Sequence, residues 1–213
     1  RIKKELSKQK IESKFIRGLR VTDEKIISVV ETVLIDFNDD IVNSLKKIGS
    51  KAVSLHTKKD NVIEIIPEQE ELGFVGIPNK INTETIFEKL KNNMIPIISP
   101  LGLGENEQTY NINGDHAAGA VAKSLKSRRL LLMTNVEGVL NREKKLISEI
   151  NSSKIIEMIE DKTITEGMIP KINTCLDAVK NDVTAVGIID GRKPRSVLFE
   201  LFSDRGSGTL IRK

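Results

Sequence analysis

Apolar residues at Ile26, Val29, Val30, Val33 and Phe37 recur at helical spacing and predict an amphipathic helix, with Thr22 at its N-cap. Asn38 predicts the cap of a second helix that carries Ile41, Val42, Leu45 and Ile48 and is closed by Gly49. Residues 51–56 form a short apolar run that predicts a strand. Residues 61–66, with the glycine turn at 73–76, predict a β-hairpin. Asn82 or Thr83 caps a helix bearing Ile86, Phe87 and Leu90, and residues 95–99 follow as a buried strand. Residues 129–134 read as a strand covered on both faces. Ser152 or Ser153 caps a helix with Ile155, Ile156 and Ile159. Pro170 suits the first turn of a helix whose stripe is Ile172, Cys175, Leu176 and Val179. Residues 183–190 give another buried strand. Residues 196–202 and 209–212 predict a closing strand pair around the turn DRGSG. Apolar strands separated by amphipathic helices predict one α/β domain with a mostly parallel sheet.

Residues 109–123, TYNINGDHAAGAVAK, stand apart from this rhythm. Asn111, Asn113 and Asp115 alternate, so in an extended segment their side chains point to one side, towards a common ligand. Ala117, Ala118, Gly119, Ala120 and Ala122 then predict a helix packed closely on a sheet, with Asp115 capping its first amides.

Aromatic residues make up 3% of the 213 residues and hydrophobic residues 38%, so the core must be built from Ile, Leu, Val and Ala. That composition suits sheets buried on both faces. The net charge of +4 is spread among thirty acids with no aromatic-interleaved basic stripe, which argues against a nucleic-acid partner. Cys175 is the sole cysteine, so there is neither a disulfide framework nor a cysteine metal site, and its neighbours make it a core residue. No apolar run reaches membrane-spanning length, and the basic start RIKKELSKQK is not followed by the apolar segment of a signal peptide. A soluble chain in a reducing cytoplasm is expected. The chain opens without Met in what reads as a helix, so an upstream N-terminus is expected as well.

Two cations, Arg20 and Lys171, fall at predicted helix N-termini, where the dipole is already positive and an anionic ligand would relieve the mismatch. Gly18 allows a tight turn before Arg20, and Gly138 lets the backbone approach a ligand. With Asn111, Asn113 and Asp115, these residues suit phosphoryl transfer, which depends on positioning and charge neutralisation. A carboxylate acceptor is ionised at neutral pH and needs no general base. His56 and His116 have no partner visible in the sequence and are expected to be spectators. No His, Cys or carboxylate cluster has metal-ligand spacing, so Mg²⁺ would be held mainly by nucleotide phosphates.

GLRVTD at 18–23, YNINGDHAAGAVA at 110–122, TNVEGVL at 134–140, GMIPK at 167–171, IIDGRKP at 188–194 and ELFSDRGSGT at 200–209 resemble, in order, the acetylglutamate kinases of the amino acid kinase family. The resemblance covers essentially the whole chain and implies an open αβα sandwich. It also implies ATP-dependent phosphorylation of the side-chain carboxylate of N-acetyl-L-glutamate in arginine biosynthesis. By position, Arg20 and Asn111 would hold the substrate's α-carboxylate and backbone, with Asn113 nearby. Lys171 would stabilise the transferring phosphoryl group, and Asp115 would orient the lysines around it. Asn135, Val136, Glu137, Gly138, Val139 and Leu140, with Thr163, Ile164, Thr165 and Gly167, would line the nucleotide. A homodimer or larger homo-oligomer is implied, as is feedback by arginine with contributions from Glu200 and Gly206.

The family's lysine-containing glycine-rich phosphate loop and its second glycine-rich substrate loop have no counterpart here, so residues 1–213 read as an N-terminally incomplete kinase domain. Smaller departures are Gly114 for the usual Ala, Asn135 for Asp, Arg195 for His, and His56-Thr57 in place of a glycine-containing turn. Two alternatives remain open at this level. One is a kinase for acetylaminoadipate, one methylene longer, a difference worth only about 1 to 3 kcal/mol. The other is a non-catalytic module that binds nucleotide or arginine.

Overall fold

The computed structural model describes every residue except Thr165, Glu166, Asp204 and Arg205. The chain divides into two units, Arg1–Ala117 and Ala118–Lys213.

The first unit opens with α1 (Ile2–Lys8), then β1 (Phe15–Ile16) and β2 (Leu19–Arg20), an antiparallel hairpin. Both loop residues have positive φ, Arg17 at 49° and Gly18 at 81°, the backbone a two-residue hairpin turn demands. Next comes α2 (Glu24–Lys47), one continuous helix where two were expected. Its cap is Asp23, whose carboxylate accepts from the Ile26 amide at 2.8 Å; Thr22 instead turns its hydroxyl back to the Arg20 carbonyl at 2.8 Å. Asn38 is buried in mid-helix, so it caps nothing. Its side chain donates to the Ile97 carbonyl at 2.9 Å and to Ser99 Oγ at 3.0 Å, and accepts from Ser54 Oγ at 2.6 Å. A polar residue in the helical stripe thus has tertiary partners, which makes it compatible with an unbroken helix. Gly49, with φ 85°, follows the C-cap as expected.

The strand β3 (Ala52–Leu55), short helix α3 (Thr57–Asp60), strands β4 (Ile63–Pro67) and β5 (Gly76–Ile81), helix α4 (Thr83–Lys91), and strands β6 (Ile95–Ile98), β7 (Leu101–Leu103) and β8 (Thr109–Asn111) complete the unit. Asn82 caps α4. β3 pairs in parallel with β6, and the order of the other sheet is β5-β4-β7-β8. β4 and β5 form the expected hairpin. β6 is less covered than its apolar sequence suggested: Ile95 is 49% exposed, and the other strand residues are half-buried. β3 is the neighbour it hydrogen-bonds among the described residues.

In the second unit, α5 (Gly114–Ser124), which crosses the boundary, leads to β9 (Arg129–Thr134), β10 (Glu149–Asn151), α6 (Ser152–Glu160), α7 (Ile169–Lys180), β11 (Ala185–Asp190), α8 (Ser196–Phe202) and β12 (Gly208–Arg212). The sheet order is β10-β12-β11-β9. β9 and β11 run parallel over six paired residues, from Arg129 opposite Ala185 to Thr134 opposite Asp190. β12 joins β11 antiparallel and β10 parallel. Leu130, Leu132, Ile172, Cys175, Val186, Ile188 and Ile211 lie in one aliphatic core with no aromatic member, the construction the composition called for. β9 is not equally covered on both faces, since Met133 is 55% exposed.

Two boundaries differ from the expected ones. Asn151 caps α6 by accepting from the Lys154 amide at 2.9 Å, so Ser152 and Ser153 fall inside the helix, and its buried stripe uses Met158 while Ile156 is exposed. Residues 196–202 form a helix where a strand was expected. Helical spacing puts Ser196 and Glu200 on the buried side and leaves Leu198, Phe199 and Phe202 exposed, the reverse of what hydrophobicity dictates. Glu200 explains the inversion, because its carboxylate accepts from the Ser207 amide at 2.9 Å and its carbonyl from Arg129 at 3.1 Å.

Candidate active site

In the first unit, the candidate anion ligands lie along adjoining extended segments. Thr22 bridges Gly73, and Val75 bridges Asn111. The Phe74 amide donates to the Thr22 carbonyl at 2.7 Å, and the Asn111 amide to the Phe74 carbonyl at 2.9 Å. This narrow ladder connects the backbone of the Arg20 hairpin to that of Asn111. Gly73 makes the close approach possible: a Cβ there would lie 2.4 Å from the Thr22 carbonyl oxygen. Arg20 is half-buried, donates to the Ser13 hydroxyl and lies over the Phe15 ring, 4.7 Å from its centroid. Burial pushes its pKa down from the ordinary value, though it stays charged at neutral pH.

The alternating trio divides its labour. Asn113 Oδ1 accepts from the amides of Asp115 at 2.9 Å and His116 at 3.3 Å, so Asn113, rather than Asp115, caps α5. Asp115 is in the helix's first turn, where a carboxylate favours the dipole. The extended geometry that would align all three side chains therefore ends before Asp115. His56, expected to lack a partner, has its Nε2 3.7 Å from Asp39.

In the second unit, two of the predicted loops meet. Residues 135–140 leave the C-terminal end of β9, the end at which open α/β sheets place ligands. Four of them, with residues 161–164, Met168 and the turn that follows Leu140, line a cavity of about 530 Å³. Of the expected nucleotide residues, Val136, Gly138, Val139, Leu140, Thr163 and Ile164 are on its wall. Asn135, Glu137 and Gly167 are not. Glu137 turns instead to Lys193, 2.7 Å away. Thr165 lies outside the described residues.

Gly138 has a steric reason beside the close approach to a ligand that the sequence suggested. At φ 145°, a Cβ there would come within 2.6 Å of Thr209 Oγ1 and 2.7 Å of Leu146, so the glycine lets the loop close on its own support. Gly119 does the same for α5 and α7, since its Cβ would be 2.8 Å from Thr174; the small residues of α5 thus serve a helix contact as well as the core.

Sequence reasoning missed Asn141, Arg142, Lys144, Lys162 and Met168 on the cavity wall. Arg142 reaches Asp161 at 2.9 Å and Thr163 Oγ1 at 3.3 Å, tying the hairpin tip to the second loop. The signal was present in Asn141, whose Oδ1 accepts from the amides of Glu143 and Lys145, both at 2.9 Å, and so forms a side-chain-stabilised turn. Lys171 sits half-buried in the first turn of α7, with Pro170 beside it. No carboxylate stands in that turn, and the N-cap residue Met168, itself on the cavity wall, makes no side-chain cap bond. A helix start of this kind, with its amides and a lysine, suits phosphate oxygens.

A second, polar cavity of about 470 Å³ is lined by Arg129, Glu149, Glu200, Gly206, Gly208 and Arg212, among others. Glu200 and Gly206, both named for arginine feedback, are thereby brought together. No helix among the described residues is long and apolar enough to cross a membrane. Among these residues no group of three His, Cys, Asp or Glu is placed to hold a metal ion.

Known proteins match this arrangement over its full extent. Residues 1–190 match the model of the amino acid kinase family. The chain is 53% identical over 213 residues to an acetylglutamate kinase of Pelagibacter ubique (strain HTCC1062), covering 100% of this chain and 74% of that protein. It is 47% identical to an acetylglutamate kinase of Clostridioides difficile (strain 630), covering 100% of this chain and 76% of that one. Among solved structures, smu.665 from Streptococcus mutans UA159 superposes with a TM-score of 0.84 at 32% identity, over 99% of this chain and 81% of the other. Shared sequence along the whole chain, on a shared fold, establishes that it belongs to the amino acid kinase family, among the acetylglutamate kinases.

Proposed function

We propose that the chain catalyses transfer of the γ-phosphoryl group of ATP to the side-chain carboxylate of N-acetyl-L-glutamate, giving an acyl phosphate and ADP in arginine biosynthesis. A carboxylate oxygen forms the new P–O bond as the bond to the ADP oxygen breaks. No proton moves, so the transfer needs no general base. The cavity formed by residues 136–140 and 161–164 beside the start of α7 is the observation that carries this reading. Val136, Gly138, Val139, Leu140, Thr163 and Ile164 on its wall are among the residues the sequence assigned to the nucleotide.

Arg20 and the side chain of Asn111 hold the acceptor's α-carboxylate and backbone. Asn113 contributes its amide nitrogen, its oxygen being used in the helix cap. Lys171 neutralises charge on the transferring phosphoryl oxygens, and Asp115 orients the lysines around them. Mg²⁺ would be carried by the nucleotide phosphates and would supply charge neutralisation there. The donor set fits this arrangement, since the start of α7 offers a cation and amides where a metal cage would need carboxylates. The second cavity, with Glu149 and Glu200 as acids, is the place for arginine feedback. Exposed Phe199 and Phe202 on α8, with Phe87 and Leu90 on α4, supply apolar surface for a homo-oligomer, and the cytoplasm supplies the ATP.

Titration of the chain with Mg-ADP and an assay for acyl phosphate test the proposal. Lys171→Ala is expected to lower the transfer rate by about 10² to 10³, with Mg-ADP binding changed much less. A folded chain that binds no Mg-ADP would overturn the placement of the nucleotide. Faster turnover of acetylaminoadipate than of N-acetylglutamate would overturn the choice of acceptor.

A further inference from the structure

We propose that Thr209 is a positioning residue for the nucleotide loop, an assignment that rests on reading the larger cavity as the nucleotide site. Thr209 is fully buried on β12, with none of its surface exposed. It touches neither proposed substrate. Its hydroxyl is built into the hairpin that forms the cavity wall.

Across that hairpin the Ile147 amide donates to the Val139 carbonyl at 2.9 Å. The return link runs through Thr209. The Val139 amide donates to Oγ1 at 2.8 Å, and Oγ1 donates to the Ile147 carbonyl at 2.6 Å. A hydroxyl can occupy this place because it accepts and donates at once. The same oxygen explains Gly138, since any Cβ at that position would come within 2.6 Å of it. Gly138 and Val139 are both cavity-lining residues, so the hydroxyl lies directly behind the surface offered to the nucleotide.

A loop that recognises its ligand through backbone and aliphatic contacts must have its peptide groups fixed beforehand, or binding must order them. Thr209 does the fixing from a buried strand, out of reach of water that would otherwise compete for the Val139 amide.

Thr209→Val retains the branched shape and removes both hydrogen bonds, whereas Thr209→Ser retains the hydroxyl. Each variant of the whole chain is titrated calorimetrically with Mg-ADP, its thermal unfolding is recorded, and hydrogen exchange is followed at the Val139 amide. Thr209→Val is expected to bind about tenfold more weakly, with faster exchange at Val139, and Thr209→Ser to restore both. If Thr209→Val does not fold, Thr209→Cys, with a weaker donor and acceptor in a similar shape, gives the same comparison. Equal affinity in the parent and in the folded hydroxyl-free or thiol variant, whatever its melting temperature, overturns the assignment and leaves Thr209 a residue of stability alone. A parent chain that binds no Mg-ADP overturns the nucleotide reading and this assignment with it.

Discussion

The two units prepare their candidate ligands in different ways. In the second, the loops around the cavity are anchored to buried strands: Val186 and Ile188 are inaccessible in β11, and Thr209 fastens the hairpin from β12. The surface it offers combines aliphatic residues, Val136, Val139, Leu140 and Ile164, with the cations Arg142, Lys144 and Lys162. In the first, the candidate ligands are side chains on short strands and one helix cap, joined by isolated bridges, and Arg20 is held by a single hydroxyl and an aromatic face. A nucleotide can be recognised by a fixed shape, and a cavity anchored to the core, as proposed for it here, supplies one. A small anion is recognised by charge and hydrogen bonds from few groups, and a half-buried guanidinium on a two-residue turn meets that need without a large scaffold.

The contrast is broken most severely at Gly208. A Cβ there would lie 1.9 Å from the Ile188 carbonyl oxygen, a backbone atom of the adjoining strand that cannot swing away. Gly208→Ala should therefore destabilise the second unit by about 3 kcal/mol or more, read as a lowered urea midpoint together with loss of Mg-ADP binding. A midpoint within a few tenths of a kcal/mol of the parent would show that β12 is less firmly set than its hydrogen bonds indicate. In the first unit the same kind of backbone clash is confined to positions such as Gly73, 2.4 Å from the Thr22 carbonyl oxygen, while at Gly114, beside the candidate ligands, a Cβ meets nothing within 4 Å.

That difference also marks what was legible in the sequence. Helical spacing located the α2 stripe and α7, apolar runs located β9 and β11, and turn glycines located the β4–β5 hairpin, because each signal is local. Asn38 and residues 196–202 were misread because their roles are tertiary. Asn38 finds its partners in strands that lie far along the chain, and α8 buries its polar face to serve Glu200. At the site, the two loops that meet at the cavity were readable from motif order, but what supports them was not. Nothing local to Thr209 announces that its hydroxyl completes a ladder rung between residues 139 and 147. Asn113 was recognised as a candidate ligand but its part in the helix cap was not, since an Asn before a helix can be cap, ligand or both until the helix start is known.

Arg20 sharpens the comparison from the other side. Arg20→Met keeps an apolar stem over Phe15 and removes the charge-assisted hydrogen bonds, each worth about 1.5 to 3 kcal/mol. The expected outcome is a rise of ten- to a hundredfold in the KM for N-acetylglutamate, a KM for ATP within about twofold of the parent, and little change in melting temperature. Equal rises in both constants would mean that Arg20 supports the whole site and not the acceptor in particular.

The smallest effect concerns the turn after β11. Asp190 is buried, and its carboxylate accepts from the Arg192 amide and Nε, each at 2.9 Å, and from Nη2 at 2.8 Å. The Arg192 side-chain bonds, followed by its amide, hold the Asp190 pKa down from 3.8 to about 2. A carboxyl with a lower pKa in the folded chain than in the unfolded one stabilises the ionised fold. The contribution is therefore fully present above about pH 4 and fades as pH falls through about 2. Because the Arg192 side chain is 64% exposed, water screens part of the interaction. Comparison with Arg192→Leu isolates it. Between pH 7 and pH 4 the melting temperatures of parent and variant should differ by a constant amount, and the gap should narrow between pH 4 and pH 2 as the parent carboxylate is protonated. A gap that already narrows near neutral pH would assign the effect to another group. A constant gap down to pH 2 would mean that Arg192 acts through packing and not through the charge of Asp190.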